Sequence, residues 1–198
     1  MANRLKRLKK LPVDQKNNIA FICGQKGCGK TFLAARLALS LYNAGRRVVC
    51  VAPMAGFKLP GCPVVRSSDI GFYYRYGAAS LIVEPTEDRI AEVAFKYALD
   101  VGSLCLFVDE IDNYFSPHNP NPDLLRIIRY GRHFNLSLVG ISQRPASVCK
   151  DLIAQADYKV IFRASEPNDL AYIRKWAGIE PERLQSLKKY QKIVLTAN

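Results

Sequence analysis

Short apolar runs alternate along this chain with stretches of helical period, and that alternation predicts its architecture. The strand candidates are residues 18–23, 47–52, 81–83, 104–108, 136–142, 158–163 and 192–196. Most are apolar throughout, as strands covered on both faces must be. Between them, residues 32–43 read as a helix ended by Gly45, and residues 87–99 as another with acids in its first turn. Pro167 and Pro181 stand where helix starts tolerate proline. After Pro167, Leu170, Ile173, Trp176 and Ala177 form an apolar stripe, which reads as core packing, with a partner-facing groove as the alternative. Strands alternating with helices predict an α/β fold: a doubly wound, mostly parallel sheet.

Two segments stand apart from this rhythm. Residues 1–16 are a basic arm carrying Arg4, Lys6, Arg7, Lys9 and Lys10, ahead of a single domain at 17–198. The arm suits a phosphate backbone or another anionic surface, or is no more than a solvated tail. Residues 53–79 are interrupted by glycine and proline and predict no secure element. Near the end of this stretch Tyr73, Tyr74, Arg75 and Tyr76 cluster; they either stack on bases and contact a phosphate backbone or belong to a surface loop over a sheet edge.

Composition narrows the class. With 198 residues and 49% hydrophobic content, the chain can bury one sizeable core. No apolar run approaches the roughly 20 residues of a spanning helix, which predicts a soluble protein. Pro12, Asp14 and Gln15 fall where a signal peptide would place its apolar segment, so export by that route is not expected. Lys plus Arg number 29 against 17 Asp plus Glu, a formal charge of +12 that calls for a polyanionic partner, nucleic acid or an anionic membrane. The six cysteines, at 23, 28, 50, 62, 105 and 149, contain no C-x-x-C pair and mostly lie in apolar runs. That pattern argues against zinc or a disulfide framework and predicts buried small hydrophobes in a reducing compartment.

The chemistry begins at Gly24-Gln25-Lys26-Gly27-Cys28-Gly29-Lys30-Thr31, which matches G-x-x-x-x-G-K-[ST] at every fixed position between a predicted strand and a predicted helix. Glycines there let backbone N–H groups turn inward around phosphates at a helix end whose dipole favours negative charge. Lys30 is expected to reach the β- and γ-phosphates of ATP, and the Thr31 hydroxyl to ligate Mg²⁺. A second signal is the apolar run 104–108, which ends in Asp109-Glu110. Acids at such a strand end face the nucleotide, Asp109 holding Mg²⁺ through a water and Glu110 polarising the attacking water. Their adjacency favours the additional-strand, catalytic-glutamate class of P-loop NTPase over kinases and GTPases.

A third signal surrounds the run 136–142. Arg129-Tyr130-Gly131-Arg132-His133-Phe134 precedes it and Ser142-Gln143-Arg144-Pro145 closes it. If this strand lies beside the P-loop strand, the Gln143 amide can bond the γ-phosphate or the attacking water. On the preceding helix, Leu124, Ile127, Ile128 and Gly131 share one face, while Arg126, Arg129 and Arg132 project from the other. Arg132, or alternatively Arg129, is a candidate arginine finger for a neighbouring subunit's site.

P-loop, Val-Asp-Glu, Gly-Arg-His before a strand and Gln-Arg-Pro after it resemble the FtsK-HerA superfamily of DNA-pumping ATPases over residues 18–165. Within it, the chain is similar to the genome-packaging ATPases of membrane-containing icosahedral phages and archaeal viruses. The resemblance implies a RecA-like core and a homo-oligomeric ring, a hexamer before a pentamer, that threads double-stranded DNA while hydrolysing ATP at subunit interfaces. It places the protein in the host cytoplasm or at a packaging vertex of the virion, with a capsid or membrane vertex protein as docking partner. An alternative keeps the ATP site but makes it a nucleotide switch, as in partition or phage-assembly factors, that binds DNA or a partner without pumping. A small-molecule kinase would need an acceptor pocket and lid that Glu110 with Gln143 gives no reason to expect.

Overall fold

The computed structural model describes residues 17–66 and 80–197; the basic arm and the Tyr73–Tyr76 cluster lie outside them. The described residues form β1 (Ile19–Cys23), α1 (Lys30–Asn43), β2 (Arg47–Val51), β3 (Val64–Val65), β4 (Leu81–Val83), α2 (Asp88–Val101) and β5 (Leu104–Val108). There follow α3 (Pro122–Tyr130), β6 (Ser137–Ser142), α4 (Lys150–Gln155), β7 (Tyr158–Phe162), α5 (Pro167–Ala177), α6 (Pro181–Gln185) and β8 (Lys192–Thr196), with short 3-10 turns at Ile111–Asn113, Gly131–Phe134 and Pro145–Ser147. Every strand expected from the sequence is present, with ends shifted by a residue at most. The two-residue β3 was not foreseen, because so short a run carries no periodicity.

The strands join in one sheet of order β3-β4-β2-β5-β6-β1-β7-β8. All neighbours are parallel except β7 and β8, which run antiparallel. Side chains alternate between the two faces as a pleated strand requires. Phe21 and Cys23 of β1, with Leu104, Leu106 and Val108 of β5, enter one core, covered by α2 to α6. Ala20 and Ile22, with Cys105 and Phe107, enter the other, covered by α1 together with Phe57 and Leu59. The sheet is therefore wound on both faces, and its central strands have to be apolar at every position.

Helix stripes follow the same logic. Leu124, Ile127 and Ile128 of α3 are buried, while Arg126, Arg129 and Arg132 are exposed. Leu170 and Ile173 of α5 are buried, and Trp176 and Ala177 pack partly buried against the same core, so this stripe is core packing. Gly140, in the middle of β6, leaves room for Leu152 of α4 and Ile111 to pack on the sheet. An added Cβ there would stand 2.8 Å from Leu152 Cδ2 and 3.0 Å from Ile111 Cδ1. Cys23, Cys28, Cys50 and Cys105 are buried, Cys62 and Cys149 partly so, and all six are free thiols. Among the described residues no helix is long and apolar enough to cross a membrane.

Candidate functional site

Three neighbouring parallel strands, β5, β6 and β1, place the candidate residues on one edge of the sheet. The P-loop follows β1, Asp109 and Glu110 follow β5, and Gln143 follows β6, all at carboxyl ends, where open α/β sheets bind ligands. One strand stands between the P-loop strand and the aspartate strand, as the Asp109-Glu110 adjacency led us to expect, and the topology identifies it as β6.

The P-loop takes its shape from glycines at positive φ: Gly24 at 143°, Gly27 at 75° and Gly29 at 111°. At Gly24 a side chain would also collide with Phe162 Cβ, 2.7 Å from the ideal Cβ position. The loop is tied at both ends, by Gln25 N–H donating to Arg163 O at 2.8 Å and by Tyr190 N–H donating to Cys28 O at 3.0 Å. Helix α1 starts without a side-chain cap and without an acid in its first turn. Its first N–H groups are thereby left to an anionic ligand. The helix α3 differs, because the Asn121 side chain accepts from Asp123 N and Leu124 N. Lys30 is 5% exposed, its Nζ donating to Gln25 O at 2.9 Å. Burial pulls its pKa below the usual lysine value, opposed by the Cys28 thiol and the Asp109 carboxylate. Lys26 and Gly27 form the exposed tip, and the Cys28 thiol donates to Gln25 O at 2.8 Å.

Beside the loop, Thr31 Oγ1 donates to Asp109 Oδ2 at 3.0 Å. Burial pushes the Asp109 carboxyl above the ordinary aspartate range; the Thr31 hydroxyl and the Glu110 N–H, which donates to Asp109 Oδ1 at 3.0 Å, pull the other way. A hydroxyl and a carboxylate within hydrogen-bond reach are hard oxygen donors, and together they fit Mg²⁺, which takes few protein ligands and keeps the rest for water and phosphate. Glu110 adopts the left-handed region, φ 51° and ψ 47°. That conformation is uncommon for a non-glycine residue and turns its carboxylate to the neighbouring strand. There Gln143 Nε2 donates to Glu110 Oε1 at 3.0 Å. The segment after Gln143 is fixed by Arg144 N–H donating to Ser142 Oγ at 2.9 Å and Ala146 N–H to the buried Asp169 Oδ1 at 3.1 Å.

The arginines are not part of this cluster. Arg132 precedes β6 and Gln143 follows it, and the strand's six residues put roughly 17 Å between its two ends. Arg132 therefore sits at the opposite sheet edge from the P-loop, exposed and with no ion pair among the described residues. Arg129 is exposed too, but its Nη2 pairs with Asp151 Oδ2 at 2.7 Å.

Two participants escaped the sequence reading. Gly56 presses against the Thr31–Asp109 pair: a Cβ there would lie 2.7 Å from Thr31 Cγ2 and 3.9 Å from Asp109 Oδ2. Tyr190, from the segment before β8, stacks on the last P-loop glycine, where an added Gly29 Cβ would meet Tyr190 Cδ1 at 2.5 Å. Neither has a local signature, since both depend on approaches between distant segments.

No protein-family model matches the chain. Over 93 residues, 45% of its length, it is 31% identical to the DNA double-strand break repair helicase HerA of Pyrococcus furiosus; over 82 residues it is 30% identical to the probable HerA helicase of Methanocaldococcus jannaschii. These matches cover 17% and 16% of the two relatives, so the chain spans about a sixth of their length. The genome packaging NTPase B204 of Sulfolobus turreted icosahedral virus 2, solved with ATP-gammaS, shares the fold at a TM-score of 0.74 and 22% identity, covering 92% of this chain and 93% of that one. VirB4 of Thermoanaerobacter pseudethanolicus does so at 0.65 and 14% identity, covering 92% and 89%. The chain resembles HerA helicases in sequence over part of its length and shares the fold of B204 and VirB4 over nearly all of it.

Proposed function

We propose that this protein is an ATP-driven translocase of double-stranded DNA, working as a homo-oligomeric ring in viral genome packaging. The observation that carries the ATPase half is the joining of Thr31 to Asp109 and of Gln143 to Glu110 beside the buried Lys30, on one edge of three adjacent strands. In this reading the P-loop backbone and Lys30 hold the triphosphate of ATP. Thr31 and Asp109 would hold Mg²⁺, which when bound would neutralise charge on the phosphate oxygens. Glu110 takes a proton from the attacking water as general base. Gln143, bonded to that carboxylate, orients it and senses whether the γ-phosphate is present.

The DNA half is supported by the +12 charge and by the HerA and B204 likenesses. The position of Arg132 supports a ring, because a finger at the opposite edge from its own P-loop can serve only a neighbouring subunit's site. The ring would act in the host cytoplasm or at a packaging vertex, docked on a capsid or membrane protein. ATPase activity with and without duplex DNA, beside a mass measurement with nucleotide, tests the proposal. A rise in turnover with DNA and a mass of five or six subunits are expected. Turnover indifferent to DNA, with DNA still bound, would replace the motor by a nucleotide switch.

A further inference from the structure

A groove of about 750 Å³ opens beside the P-loop, between α1 and the segment leading into β8. One wall is Gly29, Phe32 and Arg36, and the other is Lys189, Tyr190 and Lys192. Phe32 and Tyr190 are among the few large hydrophobic side chains left exposed, at 57% and 52%. They nevertheless lie together, ring centroids 5.7 Å apart and tilted by 58°. Arg36 stands 5.8 Å from the centre of the Phe32 ring and Lys189 5.2 Å from that of Tyr190. Tyr190 is also held, by its N–H on Cys28 O at 3.0 Å and by its ring against Gly29.

We propose that this groove is the nucleobase site: the base of the bound nucleotide stacks on the Phe32–Tyr190 pair, with Arg36 and Lys189 flanking it. This rests on the ATPase reading of the P-loop. A triphosphate wrapped by residues 24–31 has its outer phosphates at the start of α1, so the remainder of the nucleotide must leave along one side of that helix. The groove begins at Gly29, the glycine at that point. Exposed rings gain from stacking on a flat π-system, and a guanidinium or ammonium beside them adds to it. The volume lies within the range of about 300 to 1,000 Å³ common for small-molecule sites. Tyr190 N–H on Cys28 O also makes the base site and the phosphate loop share a bond, so an occupied groove bears directly on P-loop geometry.

Binding of a non-hydrolysable ATP analogue and of inorganic tripolyphosphate to the full chain, with Mg²⁺, tests this. The wild type should bind the analogue more tightly than tripolyphosphate. Phe32→Ala should weaken the analogue roughly five- to hundredfold and leave tripolyphosphate unchanged, and Tyr190→Ala, whose ring also packs on Gly29, should weaken the analogue by a larger factor than tripolyphosphate. Tyr190→Phe should retain wild-type affinity for both. Equal losses for the two ligands would make Tyr190 a support of the P-loop alone and overturn the base site. Unchanged analogue affinity would overturn it too, and if single-stranded DNA binding fell instead, the rings would belong to a nucleic-acid surface. A wild type that binds the two ligands equally sinks the base site but not the phosphate site. One that binds neither removes both.

Discussion

Gln143 Nε2 donates to Glu110 Oε1 at 3.0 Å, joining the ends of β6 and β5 from positions 33 residues apart. The bond ties the candidate base to the candidate sensor. Glu110→Gln should therefore lower ATP turnover by about 10² to 10⁴ with nucleotide affinity nearly unchanged. Gln143→Ala should do so through a lower kcat rather than a higher KM, because the carboxylate loses its orientation and not its charge. A Gln143→Ala enzyme with wild-type kcat would leave Glu110 without a sensor.

Lys30 is buried in the P-loop, and the proposed reading makes it the cation that holds the phosphates. Lys30→Ala should remove ATP turnover and weaken nucleotide binding, while a circular dichroism spectrum like wild type shows that the sheet still forms. Unchanged turnover would end the ATPase reading altogether.

Arg132 stands at the sheet edge opposite the P-loop. Arg132→Ala should bind ATP normally and lose about 10³ or more in hydrolysis. Mixing it with Glu110→Gln subunits should restore part of the activity, because some interfaces then pair an intact Glu110 with an intact Arg132. Arg129 is already paired with Asp151 and is expected to matter less. No recovery on mixing, or normal hydrolysis by Arg132→Ala alone, discards the finger assignment.

Gly56 has no positive φ to satisfy, so its requirement is one of space. In Gly56→Ala the new methyl group meets Thr31 Cγ2, and either the loop or the Thr31 hydroxyl must move. The expected result is a raised Mg²⁺ requirement for turnover with little change in thermal stability. A wild-type Mg²⁺ dependence would show that the loop yields freely.

Asp109 gives a pH-dependent prediction. Burial raises its carboxyl pKa in the folded state, so the folded chain holds that proton at a pH where the unfolded chain has lost it. Stability from this group accordingly falls as pH rises above the unfolded value near 3.8, and the penalty persists at neutral pH. Asp109→Asn should melt higher than wild type at pH 7 without nucleotide or Mg²⁺. Its advantage should vanish below about pH 4. A lower melting temperature at pH 7 would mean that the hydrogen bonds to Thr31 and Glu110 outweigh burial.

Much of this molecule could be read from the chain alone. A central strand such as Leu104–Val108 has to be apolar at each position because both faces are covered, and such runs stand out without knowledge of their partners. The P-loop is legible for a related reason: a phosphate nest is built from consecutive backbone N–H groups, so its glycines, Lys30 and Thr31 are fixed at set spacings. Asp109 and Glu110 could be read because they end a strand. What the sequence could not supply was which strand stands between β5 and β1. Only the placement of β6 between β5 and β1 turns Gln143 toward Glu110, and its parallel direction leaves Arg132, which precedes it, at the sheet edge opposite the P-loop. Gly56 and Tyr190 were invisible for the same reason: each acts by touching a segment distant in the chain, and such contacts arise from packing the sheet and its loops, which no local spacing records.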